Sequence, residues 1–379
     1  MLSRIETIRK EKKVGLLIHN KVHLYSNGLF QNAFFLIRCF EHIGLSSQLL
    51  CLESDPAPLQ NTKFSLKQIS TDATVFSPAE YHTIITISRG IPIELFQLLK
   101  KNNVYVISLM CGAYSVMHME EFIHGSYESS SSFITKNTNP ANEVWTLPKN
   151  KPHINYISIL RNMPAFVVTN LWSPEINLLS KPEHQLLYNY AVHNPKKINI
   201  IITEANISFC KNAWIPIMAA EWLNKHHPEL IESIFVFNFP KNGHHMIEDL
   251  SIKSLLKKFS RIAIPEILLN FNNQTAMPIF VSYQSKWEGN YSYYESLYFG
   301  YPHVHNSPDL EDNGYPYKEE DIAECANQIV YAATHHNQTY STYLAKGRAY
   351  LKKIDPENKE VGAIYSQLIN EGIRKSLSE

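Results

Sequence analysis

Short apolar runs alternate with longer stretches of helical spacing along this chain, and they do so in two successive cycles. That alternation leaves few folds open. A run such as VGLLIH (14–19) lacks the apolar/polar alternation of a strand with one wet face, so it reads as a strand covered on both sides. Similar runs recur at 47–52, 83–88 and 104–110, with shorter ones at 141–148 and 164–172. Between them lie helical stretches at 29–44, stopped by Gly44, and after Pro92, which sits where proline best opens a helix. A second cycle begins at 198. Strands are expected at 198–206, 233–239, 277–283 and 302–307, and helices at 212–227, 291–300, 320–336, 339–354 and 357–376. Strand–helix alternation of this kind argues for an α/β protein with parallel sheets covered by helices on both faces.

At 379 residues the chain has room for two such cores. The polar, proline-flanked segment at 172–195 marks the expected boundary. It gives an N-terminal lobe over 1–180 and a C-terminal lobe over 181–379, with the last helix free to pack back on the first lobe. Ligands of open α/β sheets bind at the C-terminal ends of the strands, here expected to face a central cleft.

Composition removes several function classes. Lys plus Arg (35) equals Asp plus Glu (35), so no net field holds nucleic acid. The five cysteines form no CxxC pair, which argues against a disulfide framework or a zinc site. The apolar run at 14–18 is shorter than a signal peptide requires, and no stretch approaches the ~18–20 apolar residues of a membrane span. The expectation is a reduced, cytoplasmic protein. Membrane contact through a lipid-borne acceptor is compatible with the sequence, but no basic amphipathic helix argues for it. No GxGxxG follows a strand, which disfavours a dinucleotide oxidoreductase.

The informative block is WEGNYSYYESLYFGYPHVHNSPDLEDNGYPY (287–317). Glu295 is followed five residues later by Gly300 and seven later by Pro302. This block resembles the nucleotide-sugar motif of GT-B glycosyltransferases, enzymes of two Rossmann-like lobes. The resemblance implies that Glu295 binds the ribose hydroxyls of a donor nucleotide, and a carboxylate suits a vicinal diol chemically. It also makes Glu288 the candidate catalytic carboxylate, although Glu288 stands seven residues before Glu295 and the common retaining pattern has eight. The amides around Gly289, Asn290 and Tyr291, and Ser307 beyond the next strand, complete the implied donor set. In retaining GT-B enzymes an arginine ends the first strand of the C-terminal lobe, and a lysine five residues on helps it hold the diphosphate. In TEANISFCKN those positions carry Asn206 and Lys211. Lys211 near a helix start suits an anion, while Asn206 leaves one cation missing; either Asn206 with backbone amides takes its place, or another residue such as Arg261 reaches in. The blocks SNGLFQN, EVWTLP, NIS-x-x-KN and YPHVHNSP further resemble a bacterial family of unknown function with a GT-B-like C-terminal lobe.

Other residues have weaker claims. Gly28 follows the first strand, in the loop that lies beside the donor phosphates and acceptor in GT-B enzymes. His118, after the CGAY turn of the first lobe, is the candidate base against an ordinary structural role. His303 and His305 share a strand face, but no third ligand is placed by spacing, and a core role outweighs a metal pair. The functional expectation is transfer of a sugar from an NDP-sugar to a saccharide or glycan acceptor, without metal or further cofactor, as in polysaccharide biosynthesis. A sugar-nucleotide epimerase of the same architecture and a catalytically degenerate glycan- or partner-binding protein are the alternatives.

Overall fold

The computed structural model describes residues 2–18, 28–53, 65–124, 140–176, 189–191, 196–240, 243, 245–260, 264–271, 275–285 and 289–378. The low-complexity stretch SYESSSSF (126–133) and most of the expected boundary segment lie outside these. The chain forms two compact units, Met1–Ile176 with Lys353–Glu379, and Asn177–Lys352.

The first unit is built on seven strands: β1 (Lys13–Leu17), β2 (Ser47–Cys51), β3 (Leu66–Gln68), β4 (Tyr81–Ile87), β5 (Tyr105–Met110), β6 (Glu143–Thr146) and β7 (Ala165–Val167). They pair in the order β3-β2-β1-β4-β5-β6-β7, all parallel. All seven residues of β4 are buried, as a central strand covered on both faces requires. The helix Lys359–Ser376 also belongs to this unit. Gly362 and Gly372 let it approach closely, for a Cβ there would meet Ile43 Cγ2 at 2.7 Å and Tyr105 Cδ1 at 2.8 Å. Near its end Lys375 donates to the buried Glu143 at 2.7 Å, and the same carboxylate accepts from Tyr105 and Trp145, each at 2.8 Å.

The second unit contains β8 (Ile198–Ile202), β9 (Ile231–Phe237), β10 (Leu256–Phe259), β11 (Met277–Val281), β12 (His303–His305) and β13 (Tyr315–Pro316). The order is β10-β9-β8-β11-β12-β13, again all parallel. Strand order reverses between β1 and β4 in one sheet and between β8 and β11 in the other. These are the switch points where crossovers leave in opposite directions and the strand ends open. The core of this unit is formed by Ile200, Ile201, Val236, Ile279 and Phe280 with Leu223, Leu268 and Ile329 from the covering helices.

The fold differs from the sequence reading at particular places. Helices expected at 320–336 and 339–354 are one, Ile322–Leu351, started by Asp321 Oδ1, which accepts from Glu324 N at 2.8 Å. Nothing between them breaks a helix: neither glycine nor proline intervenes. β8 ends at Ile202 rather than at 206, which leaves Thr203–Asn206 in a loop. No helix among the described residues is long and apolar enough to cross a membrane.

The Lys375–Glu143 bond ties the last helix to the sheet of its unit. Lys375→Met should lower unfolding stability by about 1–3 kcal/mol, because Glu143 stays buried without its cation while part of the lysine was already solvated. Urea denaturation checks this, and an unchanged midpoint would make the pair irrelevant to stability.

Candidate functional site

At the switch point of the second sheet, the loop after β8 turns back on itself. Asn206 takes a left-handed φ of 52°, which asparagine tolerates better than most residues. Its Nδ2 donates to the carbonyls of Glu204 (3.2 Å), Phe237 (3.4 Å) and Asn238 (2.9 Å), and its Oδ1 accepts from Ala213 N at 2.7 Å. The side chain therefore clamps the loop to the end of β9 and to the start of the helix Trp214–His226. Those bonds occupy the amide with the loop's own backbone. Pro216 falls in the first turn of that helix, where an N–H is not needed.

The clamped loop brings Lys211 to the neighbouring strand end. Lys211 forms bridges with Ser208 and, across the switch point, with Gln284, three residues past β11. Ser285 N donates to Cys210 O at 2.8 Å and Gln284 N to Asn306 Oδ1 at 2.9 Å, so the segments after β8, β11 and β12 are laced together. Glu204 is fully buried here, its Oε2 accepting from Gln284 Nε2 at 3.2 Å. Burial pushes its carboxyl up to about 7, against the charge of Lys211 and hydrogen bonds from Gln284, Ser282 and Tyr283, which pull it down. A buried carboxyl at such a strand end has the environment of a functional group.

Beyond Gln284 the chain reaches the helix Tyr291–Phe299. Gly289 has φ 82°, and Asn290 caps the helix by accepting from Ser292 N at 3.4 Å. Gly289, Asn290 and Tyr291 are half-buried at this N-terminus, whose amides and dipole favour an anion. Glu295 is 3% exposed and lies one turn from Ser292 and Tyr291 on the same face. Gly300 ends the helix at φ 81°; a Cβ there would meet Tyr340 Cε2 at 2.7 Å. Only glycine satisfies both demands.

β12 supplies a rigid neutral floor. His303 bonds Ser296 Oγ through Nδ1 and Ser282 Oγ through Nε2, the latter at 3.0 Å. Burial holds it well below the usual histidine range. His305 accepts from Ser307 N at Nδ1 (3.1 Å), so its Nε2 carries the proton and donates to Asn313 O (2.8 Å). Burial lowers it to about 4, the Asn313 bond resisting. Both rings are core, with both nitrogens occupied. Ser307 is 2% exposed and its Oγ has no hydrogen-bond partner among the described residues.

The remaining candidates are in the first unit or outside the described residues. Gly28 opens the helix Gly28–His42, its carbonyl accepting from Asn32 Nδ2 at 2.6 Å. His118 stands on the helix Tyr114–His124, with Nδ1 2.6 Å from Tyr156 Oη. Burial lowers its pKa against the pull of Glu121, so the imidazole is neutral near pH 7, as a base requires. Glu288 and Arg261 lie outside the described residues. Among those described, no group of three or more His, Cys, Asp or Glu side chains is arranged to hold a metal ion.

Neither Glu204 nor Gln284 belongs to a sequence motif. The signal for Glu204 is a lone carboxylate just beyond the apolar run INIII, and a strand expected to reach 206 hides it. The clamp predicts an asymmetry: Asn206→Asp should destabilise the second unit more than Asn206→Ala, because it sets a carboxylate oxygen against three carbonyls. Thermal unfolding of both variants measures this, and equal losses would contradict the clamp.

No curated protein is matched. Several solved structures are similar over most of this chain. Anabaena HepE, in complex with UDP and glucose, aligns with TM-score 0.56 and 14% identity over 97% of this chain and 100% of its own. The pneumococcal O-GlcNAc transferase GtfA, in complex with UDP and GlcNAc, aligns with TM-score 0.57 and 8% identity over 96% and 99%. S. aureus TarM, in complex with fondaparinux, alpha-GlcNAc-glycerol and UDP, gives 0.55 and 15% over 79% of this chain. This chain spans 57% of TarM's length. These likenesses, at low identity, show the fold: an α/β protein of two Rossmann-like units, as in GT-B glycosyltransferases. A family model covers residues 14–369, and the chain belongs to that family, described as "Protein of unknown function (DUF2827)".

Proposed function

We propose that this protein is a glycosyltransferase that moves a sugar from an NDP-sugar, held by the second unit, to a saccharide or glycan acceptor. The observation that carries the reading is the bridge between Lys211 and Gln284. It joins the lysine of one strand-end loop to the segment that leads into Gly289–Tyr291 and the Glu295 helix. HepE, GtfA and TarM, which share the fold, each hold UDP.

In this reading the diphosphate lies against Lys211 and the amides at the starts of the helices Trp214–His226 and Tyr291–Phe299. Glu295 accepts the ribose hydroxyls, and the Ser307 hydroxyl offers a further bond to the donor. Negative charge grows on the diphosphate as the glycosidic bond breaks, and a fixed ammonium with oriented amides stabilises that change without reorganising. The leaving group is thus assigned to protein charge rather than to a resident metal. Glu288 is kept as the carboxylate for a retaining transfer and His118 as the base for an inverting one. We place the reaction in the cytoplasm, as a step in polysaccharide synthesis.

The first test is a thermal-shift series with UDP and UDP-sugars. A ligand at 100 times its Kd should stabilise by about 2.7 kcal/mol, and no shift with any nucleotide would sink the reading. Turnover of a UDP-sugar should require an acceptor; turnover without one would indicate an epimerase. Lys211→Ala should lower kcat as well as raise the donor KM, since its contact strengthens in the transition state. Glu295→Gln should chiefly raise the donor KM, by a loss of about 1–3 kcal/mol. Steady-state kinetics of both variants separate these effects, and wild-type values for Lys211→Ala would remove the diphosphate assignment.

A further inference from the structure

Beside Lys211 lies a carboxylate to which the transfer gives no task. Glu204 is shielded from solvent two residues past β8, and Gln284 reaches it from the end of β11. The groups that face it from the surrounding elements are neutral apart from one. Tyr283 and Tyr317 are kept as protonated phenols by burial, and Tyr317 donates to Ser282 O at 2.8 Å. His303, which shares the Ser282 hydroxyl, is held uncharged. Among the described residues, Lys211 is the cation whose charge acts on Glu204. A diphosphate that takes Lys211 as its counter-ion brings negative charge towards a carboxylate with little water to screen the repulsion.

We infer that Glu204 is a proton-coupled residue of the donor site: held by Gln284 at the switch point, it takes up a proton when a nucleoside diphosphate engages Lys211. The inference rests on the donor-site reading above. One proton passes from solvent to the carboxylate, which becomes a neutral acid; no other bond is made or broken. Burial already holds this carboxyl at about 7, so near neutral pH a change in the pull of Lys211 changes its protonation state. The bound state then carries more protons than the free state. Donor affinity should therefore fall as pH rises through about 7, by up to about tenfold per unit.

Calorimetry with UDP at pH 7, in buffers of low and high ionisation enthalpy, reads the proton directly. UDP itself titrates in this range, so wild type is compared with Glu204→Gln. Wild type should take up about half a proton more per UDP than the variant. A second variant, Gln284→Met, removes a donor to the charged carboxylate and should move the pH midpoint of UDP affinity upward even if Glu204→Gln does not fold. Equal proton uptake in wild type and Glu204→Gln, or an unmoved midpoint in Gln284→Met, would overturn the inference and leave the donor site standing. Failure of wild type to bind UDP at all would remove both.

Discussion

Parallel pairing of β8 with β11 is the constraint on which the candidate site depends. Ile198–Ile201 run beside Met277–Phe280, and strand order reverses at this pair, so the crossovers leave on opposite faces. The two strand ends are thereby left uncovered by their own connections. The loop after each strand must supply its own hydrogen bonds. Beyond β8 that work falls to Asn206, whose one side chain satisfies three carbonyls and an amide. Beyond β11 it falls to Gln284 and Ser285, which bond the β8 loop and Asn306. Lys211 reaches the switch point as a consequence of this lacing.

The histidines behind the switch point are tolerable there because they are satisfied and neutral. His303 and His305 use both ring nitrogens, and charging either would remove an acceptor that already has a donor. Gly314 permits this arrangement: it has φ 70°, and a Cβ would stand 2.6 Å from His305 Nε2. Glu204 is the charge set within this neutral frame, and its stabilisation depends on Lys211 and a few donors. A buried carboxyl with so little compensation costs stability, which is the environment of a group kept for function.

Much of the architecture was legible because strands covered on both faces are mostly apolar, as INIII in β8 and the IITI of β4 are. Edge strands Leu66–Gln68 and Leu256–Phe259 carry no such signal: they are short and contain lysines, which edges tolerate. Helix ends with a covalent cause were readable, such as Gly300 before Pro302. Strand ends were not, because Thr203 continues the β-branched run while the turn is imposed by hydrogen bonds of Asn206. The spacing from Asn206 to Lys211 and from Glu295 to Pro302 pointed to a donor motif. Gln284 has no such spacing, and only strand pairing shows that it faces Glu204 and Lys211. The pairing of β8 and β11 is information held between distant segments, and a single sequence does not display it.

The proposed donor site requires a nucleoside diphosphate at this switch point. A crystal structure of the protein soaked with UDP would show it. Diphosphate oxygens should lie within hydrogen-bonding distance of Lys211 Nζ and of the amides near Gly289–Tyr291, with the ribose hydroxyls on Glu295. UDP bound elsewhere, with Lys211 and Glu295 untouched, would contradict it.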